Sequence, residues 1–96
     1  MIFEWDAEKA RRNLRRHSVS FQEAASVFLD PLAMTYPDPD HSNAEDREIT
    51  IGYSANQRLL FVSHARRRNR IRIISARKAT RRERKQHEEG ISEENE

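Results

Sequence analysis

The chain contains no cysteine, which excludes disulfides and thiolate metal sites alike. Long apolar runs are missing too. No segment approaches the roughly 20 apolar residues of a membrane span, and the opening Met-Ile-Phe-Glu-Trp-Asp turns acidic without an apolar stretch of signal length. The expectation is a soluble, cytoplasmic protein with no membrane partner. Neither helix-turn-helix spacing nor a zinc motif is visible, which argues against a sequence-specific DNA reader, and few aromatic residues sit among the cations, which argues against a single-strand stacking platform. Apolar residues make up only 35% of 96 positions, so one small core is expected. Its candidates are Phe3, Trp5, Leu14, Phe21, Phe28, Ile49, Ile51, Leu59 to Val62, Ile71, Ile73 and Ile74.

Charge is abundant, and it is segregated. The net charge is +2, yet residues 66–87 carry 11 basic and 1 acidic side chains, whereas residues 88–96 carry 5 acidic and none basic. Fifteen of the 18 cations are Arg, which pairs bidentately with phosphate. The basic segment implies a polyanion or an acidic protein as partner.

Within that segment, Arg70 and Arg72 alternate with Ile71 and Ile73, the period of a strand with one buried and one cationic face. Thr80 with Glu83 then forms a capping box, so a connector over Ser75 to Ala79 leads into a helix. Such an amino end attracts anions, and Arg77 and Lys78 lie beside it.

Upstream, Ile2 to Trp5 reads as a first strand. Asp6 caps a helix from Ala7 to about His17 whose inner face is Ala7, Ala10 and Leu14, with Arg11, Arg12, Arg15 and Arg16 on its solvated side. Ser20 and Glu23 open a second helix that ends near Leu29. Leu32 to Tyr36 reads as a short strand, His41 to Glu45 as a loop, and Ile49 to Tyr53 and Arg58 to Ala65 as strands of an antiparallel meander closed by the strand from Arg70. The acidic turn of Asp38, Asp40, His41, Glu45 and Asp46 lacks the spacing of a calcium loop. No metal and no cofactor are expected. The domain is expected over residues 1–89, with residues 90–96 as an acidic, disordered tail.

Phe3-Glu4-Trp5-Asp6 with Lys9, Asn13, His17, Val19, Ser20, Phe21, Ala24 and Phe28, then Asp30-Pro31, Asp38, Asp40-His41-Ser42, Glu45, Arg47, Ile51-Gly52 and Arg72 to Thr80 with Glu83-Arg84, resembles the BrnT family of toxins. The resemblance implies an α+β, RelE-like fold, in which two amino-terminal helices and one carboxyl-terminal helix pack on a mainly antiparallel sheet. It implies a type II toxin that cleaves RNA and arrests growth. It further implies a BrnA-type antitoxin with a ribbon-helix-helix part, through which alone operator DNA is contacted. Four positions depart from the family pattern: Ser18 replaces a usual Gly, Arg66 and Arg68 occupy a turn that more often holds an acidic residue and a Gly, and His87 stands where a Tyr is usual.

Metal-independent RNA cleavage needs a base for the 2′-hydroxyl, cations for the phosphorane and an acid for the leaving oxygen. The candidates are Arg72, Arg77 and Arg47 for the phosphate, His87 or His64 as acid or base, and Glu45 as a further base. Arg66, Arg67, Arg68, Arg70, Lys78 and Arg81 are the candidate RNA contacts. His17 reads as a cation at a helix end. A second reading makes Arg72 and Arg77 ion-pair partners of Glu45, Glu48 or Glu83, and the domain a non-catalytic basic module that binds nucleic acid or an acidic protein.

Overall fold

The computed structural model describes residues 1–40 and 46–94, with side chains through residue 90. In chain order the elements are β1 (Ile2–Glu4), α1 (Ala7–His17), α2 (Phe21–Ser26) continuing into a 3₁₀ turn at Val27–Leu29, β2 (Met34–Pro37), β3 (Arg47–Tyr53), β4 (Leu59–Arg67), β5 (Arg70–Lys78) and α3 (Arg81–Glu94). The strands form one mixed sheet in the order β1-β5-β4-β3-β2. The β1–β5 pair is parallel, and the other three pairs are antiparallel. The architecture is α+β, and β3, β4 and β5 form the expected meander.

Local chemistry accounts for the boundaries. The Asp6 side chain accepts the Lys9 amide at 3.3 Å, the Ser20 hydroxyl accepts that of Glu23 at 3.0 Å, and α1 ends on Ser18 in the left-handed region, φ 58°. Thr80 and Glu83 form the full reciprocal box, 3.1 Å and 2.9 Å, and α3 runs through Glu94, into the acidic segment.

Strand alternation sorts the side chains onto two faces. One face presents Thr50, Gly52, Leu60, Val62, His64, Ile71, Ile73 and Ala76, and α1 and α2 cover it. Val19, Phe21, Ala24 and Val27 meet Leu60, Val62, Ile73 and Ala76 there in the core. At Gly52 the layers touch: a Cβ would stand 2.8 Å from the Ala33 Cβ and 3.0 Å from Val27 Cγ1, so only hydrogen fits.

Two expectations change. The inner face of α1 is Ala10, Asn13 and His17 rather than Ala7, Ala10 and Leu14, and Leu14 is 52% exposed. Asn13 is selected because β1 pairs only with Arg70 to Arg72, which leaves the edge of β5 beyond them without a strand. The Asn13 amide takes that place. Its Nδ2 donates to the Ala76 and Val19 carbonyls, both at 2.9 Å, and its Oδ1 accepts the Ala76 N–H at 3.0 Å. The second change is that β5 extends to Lys78, so Ser75 to Lys78 is strand and not connector. A register shift between Ser63 and His64 pairs Ser63 with Ser75 and His64 with Ile73, leaving Ile74 as an extra residue. This bulge breaks the alternation that marks the strand in sequence.

Candidate active site

The second face of the sheet has an apolar floor of Ile49, Ile51 and Phe61, half-buried rather than core. α3 lies along part of it: the Tyr53 hydroxyl donates to Glu88 at 2.9 Å, and the Tyr53 and His87 rings are 6.2 Å apart. The uncovered part forms a cleft of about 250 Å³, lined by His17, Asp38, Ser63, Ser75 and Arg77 over Ile49 and Phe61. The bulge sets the two serines opposite each other on β4 and β5. His17 arrives on the same face of α1 as Asn13. Asp38 is buried, and its Oδ1 accepts the Asp40 amide at 3.0 Å. A second cleft of about 230 Å³ shares His17 and Ser75 and adds Lys9, Arg12 and Arg16. The cations of α1, which read equally as a solvated surface or as contacts for RNA or an acidic protein segment, thus include three beside an imidazole.

Arg77 is the central cation. Its guanidinium lies 4.4 Å above the Phe61 ring, an attractive cation–π arrangement, and pairs with Glu83 through two bonds of 2.8 and 2.9 Å. That bidentate bond raises Arg77 above its ordinary pKa and holds the Glu83 carboxyl down to about 2. Glu83 also accepts the Thr80 amide, so a carboxylate already occupies the amino end of α3 where a phosphate was expected. The ion-pair reading of Arg77 holds in this state of the molecule.

The other candidates are spread more widely. Arg72 faces the same side as Arg77 but lines a separate cleft of about 240 Å³ with Glu4, Trp5, Asp6 and Arg67. Arg66 bonds Glu48 and Arg70 pairs with Glu4 at 3.6 Å; Arg68 turns the chain at φ 55°. Lys78 is exposed at the opposite end of β5, roughly 26 Å from Arg70 at about 3.3 Å per residue, and Arg81, also exposed, opens α3 beyond it. Arg47 opens β3, and its carbonyl accepts the Asp38 amide at 2.9 Å. Glu45 and His41 lie outside the described residues, as does the loop read at His41 to Glu45. Among the described residues no three His, Asp or Glu side chains cluster as a metal site would.

The histidines separate sharply. His64 is fully buried on the helix-covered face, its Nε2 2.7 Å from the Thr50 hydroxyl and its ring edge-on to Phe28 at 4.9 Å. Desolvation lowers its pKa, against the pull of Glu48. It is a core histidine, out of reach of any substrate, and its parity with Leu60 and Val62 was the signal for this. His87 is on the sheet-facing side of α3, 7% exposed, and does not line the serine cleft. The imidazole that the fold brings to Arg77's cleft is His17.

A family model described as the ribonuclease toxin BrnT of type II toxin-antitoxin systems matches residues 5–83. Among solved structures, the fold is similar to the 1.1 Å crystal structure of the Brucella abortus ribonuclease toxin BrnT, with a TM-score of 0.67 and 21% sequence identity, over 84% of this chain and 100% of that one. No curated protein sequence matches the chain. No helix among the described residues is long and apolar enough to cross a membrane.

Proposed function

Because the chain belongs to the BrnT family of ribonuclease toxins of type II toxin-antitoxin systems, we propose that it is a cytoplasmic, metal-independent endoribonuclease of RelE-like fold that cleaves at the cleft of Arg77 and arrests growth. The observation that carries this reading is the convergence of His17, Asp38, Ser63, Ser75 and Arg77 on one cleft. His17 takes the proton of the 2′-hydroxyl or supplies that of the 5′-oxygen, a contribution of about 100- to 10,000-fold when well placed. Arg77 stabilises the phosphorane, with three of its five donors now held by Glu83 and the Lys78 carbonyl and released to the phosphate as it displaces the carboxylate. Ser63 and Ser75 orient the phosphate by hydrogen bonds. Lys9, Arg12 and Arg16 on one side, with Arg72 and Arg67 beyond the bulge, hold the flanking phosphates; Lys78 and Arg81 extend the track at the other end. Arg47 supports the buried Asp38.

As a type II toxin it has an antitoxin partner, for which we propose a BrnA-type protein with a ribbon-helix-helix part that alone contacts operator DNA. We take residues 1–89 as the toxin domain.

Induced expression with mapping of new RNA 5′ ends tests the reading. Wild type is expected to stop growth and produce discrete ends. Arg77→Ala and His17→Ala are expected to lose them by at least about 100-fold while keeping a cooperative melt. Intact RNA and normal growth with folded wild type would favour the non-catalytic basic module, which binds RNA with a salt slope of about −0.7 per phosphate and cuts nothing.

A further inference from the structure

The space beneath α3 shares with the chemistry proposed above only Glu83, the carboxylate that a phosphate displaces from Arg77. It is a groove of about 360 Å³, inside the range of small-ligand sites that begins near ~300 Å³. Tyr36 and Phe61 give it aromatic sides, Met34 and Ile51 an apolar floor, and Gln86 and His87 of α3 a polar rim. One rim group is unsatisfied: His87, nine-tenths buried, carries Nε2 without a hydrogen bond, while the exposed amide of Gln86 beside it is open to a ligand. Buried polar atoms in native proteins are nearly always paired, and leaving one bare costs about as much as a lost hydrogen bond.

The groove is also continuous with the serine cleft. Phe61 lines both, and Arg77 sits over the Phe61 ring, so an occupant of the groove adjoins whatever anion Arg77 holds. An aliphatic side chain of a protein would fill the apolar floor and leave the buried imidazole unpaired. A nucleobase matches all three features: a flat π-face for the aromatic sides, edge donors and acceptors for the rim, and a phosphate one bond system away for Arg77. Single-stranded RNA is read in this manner, with bases splayed onto aromatic faces and their edges hydrogen-bonded.

Resting on the reading of the Arg77 cleft as the cleavage site, we propose that the groove under α3 is a nucleobase pocket that takes the base next to the scissile phosphate, stacked against Tyr36 and Phe61 and read by Gln86 and His87. Sequence preference in cleavage then originates in α3.

The test uses short single-stranded RNAs, each with one abasic nucleotide at successive positions, and compares wild type with Tyr36→Ala and Gln86→Ala. Binding is followed by fluorescence anisotropy, with a 2′-deoxy residue at any mapped cleavage position, and cleavage is followed separately. One abasic position is expected to cost wild type about tenfold in affinity and to adjoin the cleaved bond. Tyr36→Ala should lose about the same on intact RNA and nothing more on that abasic RNA; Gln86→Ala should change which base is preferred there. A full abasic penalty in Tyr36→Ala, or none at any position in wild type, overturns the pocket and leaves the groove to an apolar side chain of a protein partner. Retained coupling in binding without any cleavage would instead remove the nuclease reading and keep the pocket. Tyr36 is half-exposed on an edge strand, and Gln86 is an exposed position on α3, so both variants are expected to fold.

Discussion

Asn13→Ala should be among the most damaging substitutions that remove no apolar volume. Asn13 is 6% exposed and makes three hydrogen bonds, two of them with the N–H and C=O of Ala76. Each contributes about 0.5–1.5 kcal/mol net, and the truncation also strands three buried backbone groups. The expected loss is therefore about 3–4 kcal/mol, a large share of the ~5–15 kcal/mol typical of a domain. In urea, with a slope of about 1–3 kcal/mol/M for small proteins, the midpoint should fall by about 2 M with the slope unchanged. Asn13→Asp should do no better, because it keeps the acceptor for Ala76 N–H but turns a carboxylate toward the Ala76 and Val19 carbonyls. A loss below about 1 kcal/mol for Asn13→Ala would refute the claim that this side chain substitutes for a missing strand neighbour.

Gly52→Ala should destabilise by about 1–3 kcal/mol through overpacking against Ala33 and Val27, read as a lower melting temperature; an unchanged melt would show that the layers can part. Ser18→Gly should stabilise by about 1 kcal/mol, since Ser18 sits at φ 58° where a Cβ is strained, and denaturant melts will show the sign. Burial lowers the pKa of His64, so the unfolded chain takes up the proton first as pH falls. Stability from the neutral ring is full above about pH 6.5 and is lost below it by up to ~1.4 kcal/mol per pH unit; His64→Gln should lose less stability between pH 7 and 5 than wild type does, and parallel curves would sink the argument.

Where local chemistry decides, the sequence was readable. Asp6, Ser20 and Thr80 cap the helices they announce, and the Arg70 to Ile73 alternation resolves into buried isoleucines and outward arginines. Glu23 shows the limit of such reading: its backbone joins the expected cap, but its carboxylate turns to Arg58, with Nε at 2.9 Å, and to the Ser54 hydroxyl at 2.7 Å. The partner lies 35 residues away, which no local pattern records. The same holds for the site. Leu14 outranks Asn13 and His17 as a core candidate by hydropathy, yet the helix turns toward an unpaired strand edge, where an amide stabilises more than an isobutyl group. That rotation, and the bulge at Ile74, bring His17, Ser63 and Ser75 together.

The ends of the sheet carry a consequence for crowding at high expression. β1 is three residues long, and β2 finishes on Pro37, which has no amide hydrogen to offer a neighbouring chain. On the β1 side, Asn13 plugs the gap left along the edge of β5. Outer strands built this way are poor templates for pairing with another molecule, so the free chain should remain dispersed at concentrations where a sheet with long bare margins would begin to assemble.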